Sequence, residues 1–160
     1  MGHVGDGFTL GQPQEDLIGC VDAVALGFEL VQSLFPGWRF RAPDTVAAFG
    51  LHGALRHGPW MAVDAATDWP RLLADFPVTL SRDGRVMDRG HSANVMGGGP
   101  LAALAHLIDL LAADPEAPPL VAGEIISTGT LTRALPVAPG QTWTAEAQGL
   151  PLPPISLTLT

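Results

Sequence analysis

The chain has no lysine, no tyrosine, a single cysteine and no long uninterrupted apolar run. Without lysine, Schiff-base chemistry and a lysine general base are excluded, and all eight basic residues are arginine. The one cysteine, Cys20, rules out an internal disulfide framework and suits a reducing compartment. In its apolar surroundings it reads as a small buried residue rather than a nucleophile. No stretch approaches the roughly 20 apolar residues of a membrane span, and no charged segment precedes an apolar signal core. Together these absences point to a cytoplasmic protein with no membrane partner. Positive charge is scarce as well. Eight arginines stand against sixteen acidic residues, for a net charge of −8, which leaves no basic face for nucleic acid.

What is present favours a packed core. Hydrophobic residues make up 47% and charged residues 15% of the 160 positions, a composition that folds rather than stays disordered. At this length a single domain, 1–160, buries roughly 70% of its unfolded surface. One stretch stands out, VALGFELVQS at residues 24–33. Read as a strand, it places Leu26, Phe28 and Leu30 on one face and Ala25, Gly27, Glu29 and Val31 on the other. Both faces read as buried, with a carboxylate in the middle of one. An unpaired ionised carboxylate there costs several kcal/mol, so Glu29 is expected either to face a cavity or to be neutralised by Arg39 or Arg41.

The elements around it follow from periodicity and turn chemistry. EDLIGCVDAV predicts a short helix with acidic residues at its start. Asp44 in PDTVAAFG caps a second helix, LHGALRHG is a strand, and WPRLLADF is a helical turn or two. VTLSRDGRVMDRG predicts a hairpin turned by Asp83-Gly84. PLAALAHLIDLLAAD is a helix with Pro100 near its first position and Leu101, Leu104, Ile108 and Leu111 as its buried stripe. GEIISTG, QTWTAEAQG and ISLTLT are closing strands between Pro-Gly and Gly-Leu-Pro turns.

Motif chemistry is sparse. The five histidines (His3, His52, His57, His91 and His106) show no metal-ligand spacing. His52 and His57, five apart on one strand, are expected on opposite faces. The glycine-rich GHSANVMGGGP before the long helix lacks the Lys-Ser/Thr of a phosphate loop. It is a structural loop or one that lets backbone approach a small ligand. No G-x-S-x-G is present, and Ser92 beside His91 does not make a triad by adjacency.

Three segments in register resemble the hydratase/decarboxylase branch of the fumarylacetoacetate hydrolase superfamily. ALGFELVQSLFPGWRFRAPDTVA resembles its P-A-x-E-[IV]-V-x-S…D-T-V-A-D-N. VTLSRDGRVMDRGHSANVMGGGPLAALAHLIDLLA resembles its L-x-x-N-G…G-x-P-x-x-A-x-x-W-L-A. GEIISTGTLTRALPVAPGQTWTAEAQGL resembles its G-D-x-I-x-T-G…P-V-x-x-G-D…G-L. The resemblance runs from about Phe8 to Leu157 and implies an α+β fold of mixed β-sheets rolled into a barrel-like sandwich with a few flanking helices. It also implies that the chain lacks the family's N-terminal portion, leaving apolar surface that favours a homodimer or a complex with a related subunit.

In that family the glutamate matching Glu29 is one of three carboxylates holding Mg²⁺ or Mn²⁺, which grips a 2-oxo acid and stabilises its enolate. Here His3 and Gly5 stand where the other two glutamates would fall, and Ala48 and Phe49 replace the Asp-Asn after D-T-V-A. The resemblance therefore implies an enzyme without a metal cofactor, in which burial favours the neutral form of Glu29 and suits it to general acid or base work. Its substrate is a small enolisable carbonyl compound, and the reaction a cyclisation, isomerisation, or hydration/dehydration. The alternatives are a Mg²⁺- or Mn²⁺-dependent 2-oxo-acid hydratase or decarboxylase, its site completed by His3, Asp6 and Glu29, and a non-catalytic partner of a full-length relative. Carried onto matching positions, the resemblance makes Glu29, Asp44 and His91 candidate catalytic residues. It makes Trp38, Arg41, Ser92, Gly98, Thr128 and Gly129 candidate substrate-binding residues, with the 90–99 loop beside the pocket.

Overall fold

The computed structural model describes residues 2–4 and 14–160, with side chains from residue 16 onward. The Asp83-Gly84 hairpin forms as the sequence predicts. Strands β6 (Pro77–Arg82) and β7 (Arg85–His91) flank a turn whose two residues have φ of +50° and +79°, the left-handed pair that a two-residue hairpin loop needs. Asp83 also ties the turn to the next strand, its carboxylate accepting from Thr142 N–H at 2.9 Å. That strand, β9 (Thr142–Ala147), pairs with β6 and with β10 (Ile155–Thr158), giving a four-stranded sheet in the order β10-β9-β6-β7.

A second sheet runs β5 (Met61–Ala62), β2 (Val21–Val24), β1 (Gly2–Val4), β8 (Ile125–Ile126). A third holds only β3 (Gly27–Val31) and β4 (His52–His57). Every pairing among the described residues is antiparallel, so the sheets are not mixed, and they do not close into a barrel.

The long helix α4 (Pro100–Ala113) begins where expected. Its N-cap Gly99 has φ +81°, and a β-carbon there would meet the Leu73 carbonyl oxygen at 2.7 Å, so only glycine lets the helix start against its neighbour. Leu101 and Leu104 are buried; Ile108 and Leu111, further along the stripe, are only half-buried. α4 packs against the short helices α1 (Gln14–Leu17) and α3 (Trp69–Ala74). The core gathers these helices onto the inner faces of the first two sheets through Val24, Trp69, Phe76, Leu80, Leu104 and Trp143.

Three sequence expectations change. The helix over EDLIGCVDAV stops at Leu17, followed by a 3-10 turn at Ile18–Cys20, and the rest becomes β2. Val21 and Val24 pack into the core better from a strand, and β-branched residues favour it. Of GEIISTG only Ile125 and Ile126 are strand. The strand carrying Glu29 is not buried on both faces. β3 pairs with β4 alone, and the carboxylate side chain is 38% exposed. Beyond β3, helix α2 (Ala42–Ala47) and its flanking turns carry Leu34, Trp38, Val46 and Phe49, all exposed.

Candidate active site

A cavity of about 420 Å³ opens into the core. Its walls are largely apolar, among them Val24, Leu26, Phe28, Leu101, Leu104 and Trp143. Its polar side chains fall in two stretches of chain: Glu29 on β3, and Ser127, Thr128, Thr130, Thr132 and Arg133 on the segment that follows β8. A mostly apolar concavity with a few convergent polar groups is the usual form of a small-molecule site.

Glu29 has a partner the sequence reading did not name. His52 Nδ1 lies 3.0 Å from Glu29 Oε1; Arg39 and Arg41 make no ion pair with it. The pairing depends on a β-bulge. Glu29 stands opposite Leu55 and Leu30 opposite Ala54, but Val31 then stands opposite His52, skipping Gly53. In regular register Gly53 would face Val31, and His52 would point to the other side of the ribbon. The bulge turns it onto the Glu29 face. His57, opposite Gly27, shares that face, so the two histidines are not on opposite sides as their spacing predicts. Gly53 is required here, because a β-carbon would meet the Leu30 carbonyl oxygen at 2.8 Å.

Of the candidate substrate-binding residues, Thr128 and Gly129 line the cavity with Glu29. Trp38, Arg41, Asp44, His91, Ser92 and Gly98 are not in the lining. Asp44 caps α2 by accepting from Arg41 N–H at 2.8 Å, and Trp38 sits on the exposed side. His91 Nδ1 accepts from Ala93 N–H at 3.2 Å, which leaves Nε2 to donate to Asp75 Oδ1 at 2.9 Å. Ser92 is fully buried; its hydroxyl donates to the Ala74 carbonyl at 2.7 Å and accepts from Phe76 N–H at 3.1 Å. Both His91 and Ser92 hold the junction between α3 and the hairpin.

The 90–99 loop sits one layer behind the cavity and supports its wall. Asn94 Nδ2 donates to the Leu131 carbonyl at 2.8 Å, and Gly90 lies so close to that carbonyl that no β-carbon fits. A second tie was not legible as a motif. Arg133 grips Asp88 of β7 through its backbone N–H (2.9 Å), Nε (3.2 Å) and Nη2 (3.1 Å). These hydrogen bonds, the guanidinium's first, hold the Asp88 carboxyl below the usual carboxylate range and raise Arg133 further. The only hint in the sequence is that Arg133 is the sole arginine after Arg89.

A divalent ion of the Mg²⁺ kind wants several hard oxygen ligands. Among the described residues no group of three or more His, Cys, Asp or Glu side chains is placed to hold a metal. At Glu29 the donors are one carboxylate and one imidazole. His3 is described only as backbone in β1, and Asp6 lies outside the described residues. Among the described residues, Glu29 and His52 alone do not make the donor set such an ion needs.

Residues 11–152 match the family described as Fumarylacetoacetate (FAA) hydrolase C-terminal. A 4-oxalocrotonate decarboxylase from Pseudomonas putida is 34% identical over 147 residues, covering 92% of this chain and 52% of that protein. A 2-keto-4-pentenoate hydratase from Paraburkholderia phymatum is 32% identical over 140 residues, covering 84% and 49%. The solved 4-oxalocrotonate decarboxylase from Pseudomonas putida G7, complexed with magnesium and adipate, superimposes with a TM-score of 0.81 at 30% identity, covering 99% of this chain and 57% of that one. The chain thus spans about half the length of the relatives it matches.

Proposed function

The chain belongs to the fumarylacetoacetate hydrolase family, and from that premise we propose that it performs enol-type chemistry of the hydratase kind on an enolisable carbonyl compound, with Glu29 moving the proton. The observation that carries this reading is the Glu29–His52 pair at the edge of an apolar cavity. Hydration, dehydration, isomerisation and cyclisation at such a substrate share one step, transfer of a proton at the carbon beside the carbonyl. Glu29 takes and returns that proton. His52, with Nδ1 carrying a proton, donates to the carboxylate and fixes its rotamer. The hydroxyl of Thr128, lining the same cavity, donates to the carbonyl oxygen, and the apolar walls hold the substrate's carbon skeleton.

A second reading has its own observation: the solved relative contains magnesium. In it, His3, Asp6 and Glu29 hold a divalent ion. A third reading is a non-catalytic partner of a related subunit. Exchange of the protons beside the carbonyl into D₂O, followed by NMR, separates the three. The test compounds are 2-keto-4-pentenoate and straight-chain methyl ketones. Exchange that survives chelator and falls roughly 10²-fold or more in Glu29→Gln supports the first reading. Exchange abolished by chelator and restored by Mg²⁺ or Mn²⁺ supports the second. No exchange under either condition leaves the third.

A further inference from the structure

We propose that the cavity takes an uncharged carbonyl compound with an extended apolar body, rather than a short dicarboxylate like the adipate bound by the solved relative. The inference rests on reading this cavity as the ligand site, and it adds the class of ligand. Charge is the first argument. Glu29 and Arg133 are the only ionisable side chains in the described lining. A carboxylate entering beside Glu29 meets like charge. Arg133 offers less in return, because its Nε and Nη2 are engaged by Asp88 in a two-point fork and its backbone N–H by the same carboxylate, while the side chain is 73% exposed, so that its remaining N–H groups offer a ligand only a screened, solvent-facing contact. Such a fork is the strong, geometrically matched form of the arginine–carboxylate pair. A ligand carboxylate carried into the apolar part of the cavity would have no charged partner there, which is costly.

Size is the second argument. A volume of 420 Å³ corresponds to about fourteen liquid waters. A six-carbon acid leaves much of that unfilled, and unfilled apolar wall forfeits its dispersion contacts. The third is the distribution of polar atoms. Polar side chains cluster at Glu29 and residues 127–133, while the remaining lining, including Leu104, Leu135 and Leu152, carries apolar side chains apart from Trp143, whose indole N–H already donates to Gln141 Oε1 at 3.1 Å. One polar region and one long apolar region match a ligand with a carbonyl head and a hydrocarbon body.

Calorimetric binding to the wild-type chain tests this, using straight-chain methyl ketones from about six to about twelve carbons, 2-oxo acids of the same lengths, and adipate. The expected result is a ketone series that tightens about three- to fourfold per methylene until the cavity is full. Acids of matched length should bind at least about tenfold more weakly, with adipate weakest. Two variants locate the site. Leu135→Trp should abolish binding of the longest ketones while sparing the shortest. Asp88→Asn, which frees the Arg133 guanidinium, should improve adipate binding by about tenfold; melting curves of both variants confirm that they fold. Adipate or the acids binding as tightly as the ketones, a series flat in chain length, or long-ketone binding untouched by Leu135→Trp would each overturn the proposal, the last by placing the ligand on the exposed aromatic face instead. Binding needs no turnover. Chain-length-dependent ketone binding without proton exchange would therefore uphold this inference and remove the enzymatic reading beneath it.

Discussion

A methyl group at position 53 would sit 2.8 Å from the Leu30 carbonyl oxygen, with the Gln32 side chain 3.3 Å away. The exposed Gln32 side chain can swing aside, but the Leu30 carbonyl is ladder backbone and cannot yield freely. Gly53→Ala should therefore either flatten the bulge or push β4 off β3, costing about 1–3 kcal/mol as overpacking does. A flattened bulge returns His52 to the opposite face and separates it from Glu29. The expected outcome is a lower urea midpoint together with loss of exchange activity comparable to that of His52→Ala. A variant that loses stability but keeps full activity would show that the pair does not need the bulge. Glu29 itself should behave differently. Its carboxylate is 38% exposed and shares an imidazole rather than a buried arginine, so Glu29→Gln should change stability little while reducing exchange. Glu29 was legible in the sequence as a carboxylate out of place, but its surroundings were not. Alternating apolar residues on both faces look the same whether a strand lies mid-sheet or in an isolated ribbon, and a bulge leaves no periodic trace.

At the scale of elements, the hairpin and α4 were readable because their signals are local. Asp-Gly fixes the turn, and Gly-Pro fixes the helix start. The segment after β8 carries no periodicity, and its shape comes from distant partners, Asn94 at Leu131 and Asp88 at Arg133. Resemblance alone pointed to Thr128 and Gly129 there. The same resemblance put the 90–99 loop at the pocket, where it is instead the backing of that segment. The Asp88–Arg133 tie has a pH signature. The Asp88 carboxyl is lower in the folded chain than the ordinary value near 4, so the unfolded chain binds its proton first as pH drops. The stabilisation is complete above about pH 4 and is lost as pH falls through the lower folded value. Urea midpoints measured from neutral to acid pH should drop less steeply for Asp88→Asn than for wild type. Parallel curves would mean that the tie adds nothing to stability.

Over the whole molecule, one surface is out of keeping with the rest. Phe49 is 88% exposed, Val46 79% and Leu34 74%, with Trp38 and Phe40 alongside. Trp38 and Phe49 also hold left-handed φ of +57° and +52°, a conformation that costs bulky residues of order 1 kcal/mol each. Exposed large apolar side chains concentrated in one stretch of chain, with Phe40 packed beside Trp38 and Phe35, mark an interaction surface. A second copy of the chain is the occupant we expect there. Light scattering at micromolar concentration should report a dimer, and Phe49→Ser should shift it to monomer without lowering the melting temperature of the monomer. A wild-type monomer would remove the expectation. None of the chain's described helices is long and apolar enough to cross a membrane.

The cavity wall and the hydrophobic core are built from the same residues, Val24, Leu26, Leu104 and Trp143 among them. Whatever fills the space therefore completes the interior, and its binding free energy is coupled to unfolding. A compound present at a hundred times its dissociation constant should add about 2.7 kcal/mol, enough to raise the melting temperature of a chain this size by several degrees. Melting curves taken across a library of neutral ketones thus turn the unfilled interior into its own detector, one that needs no turnover and no knowledge of the product.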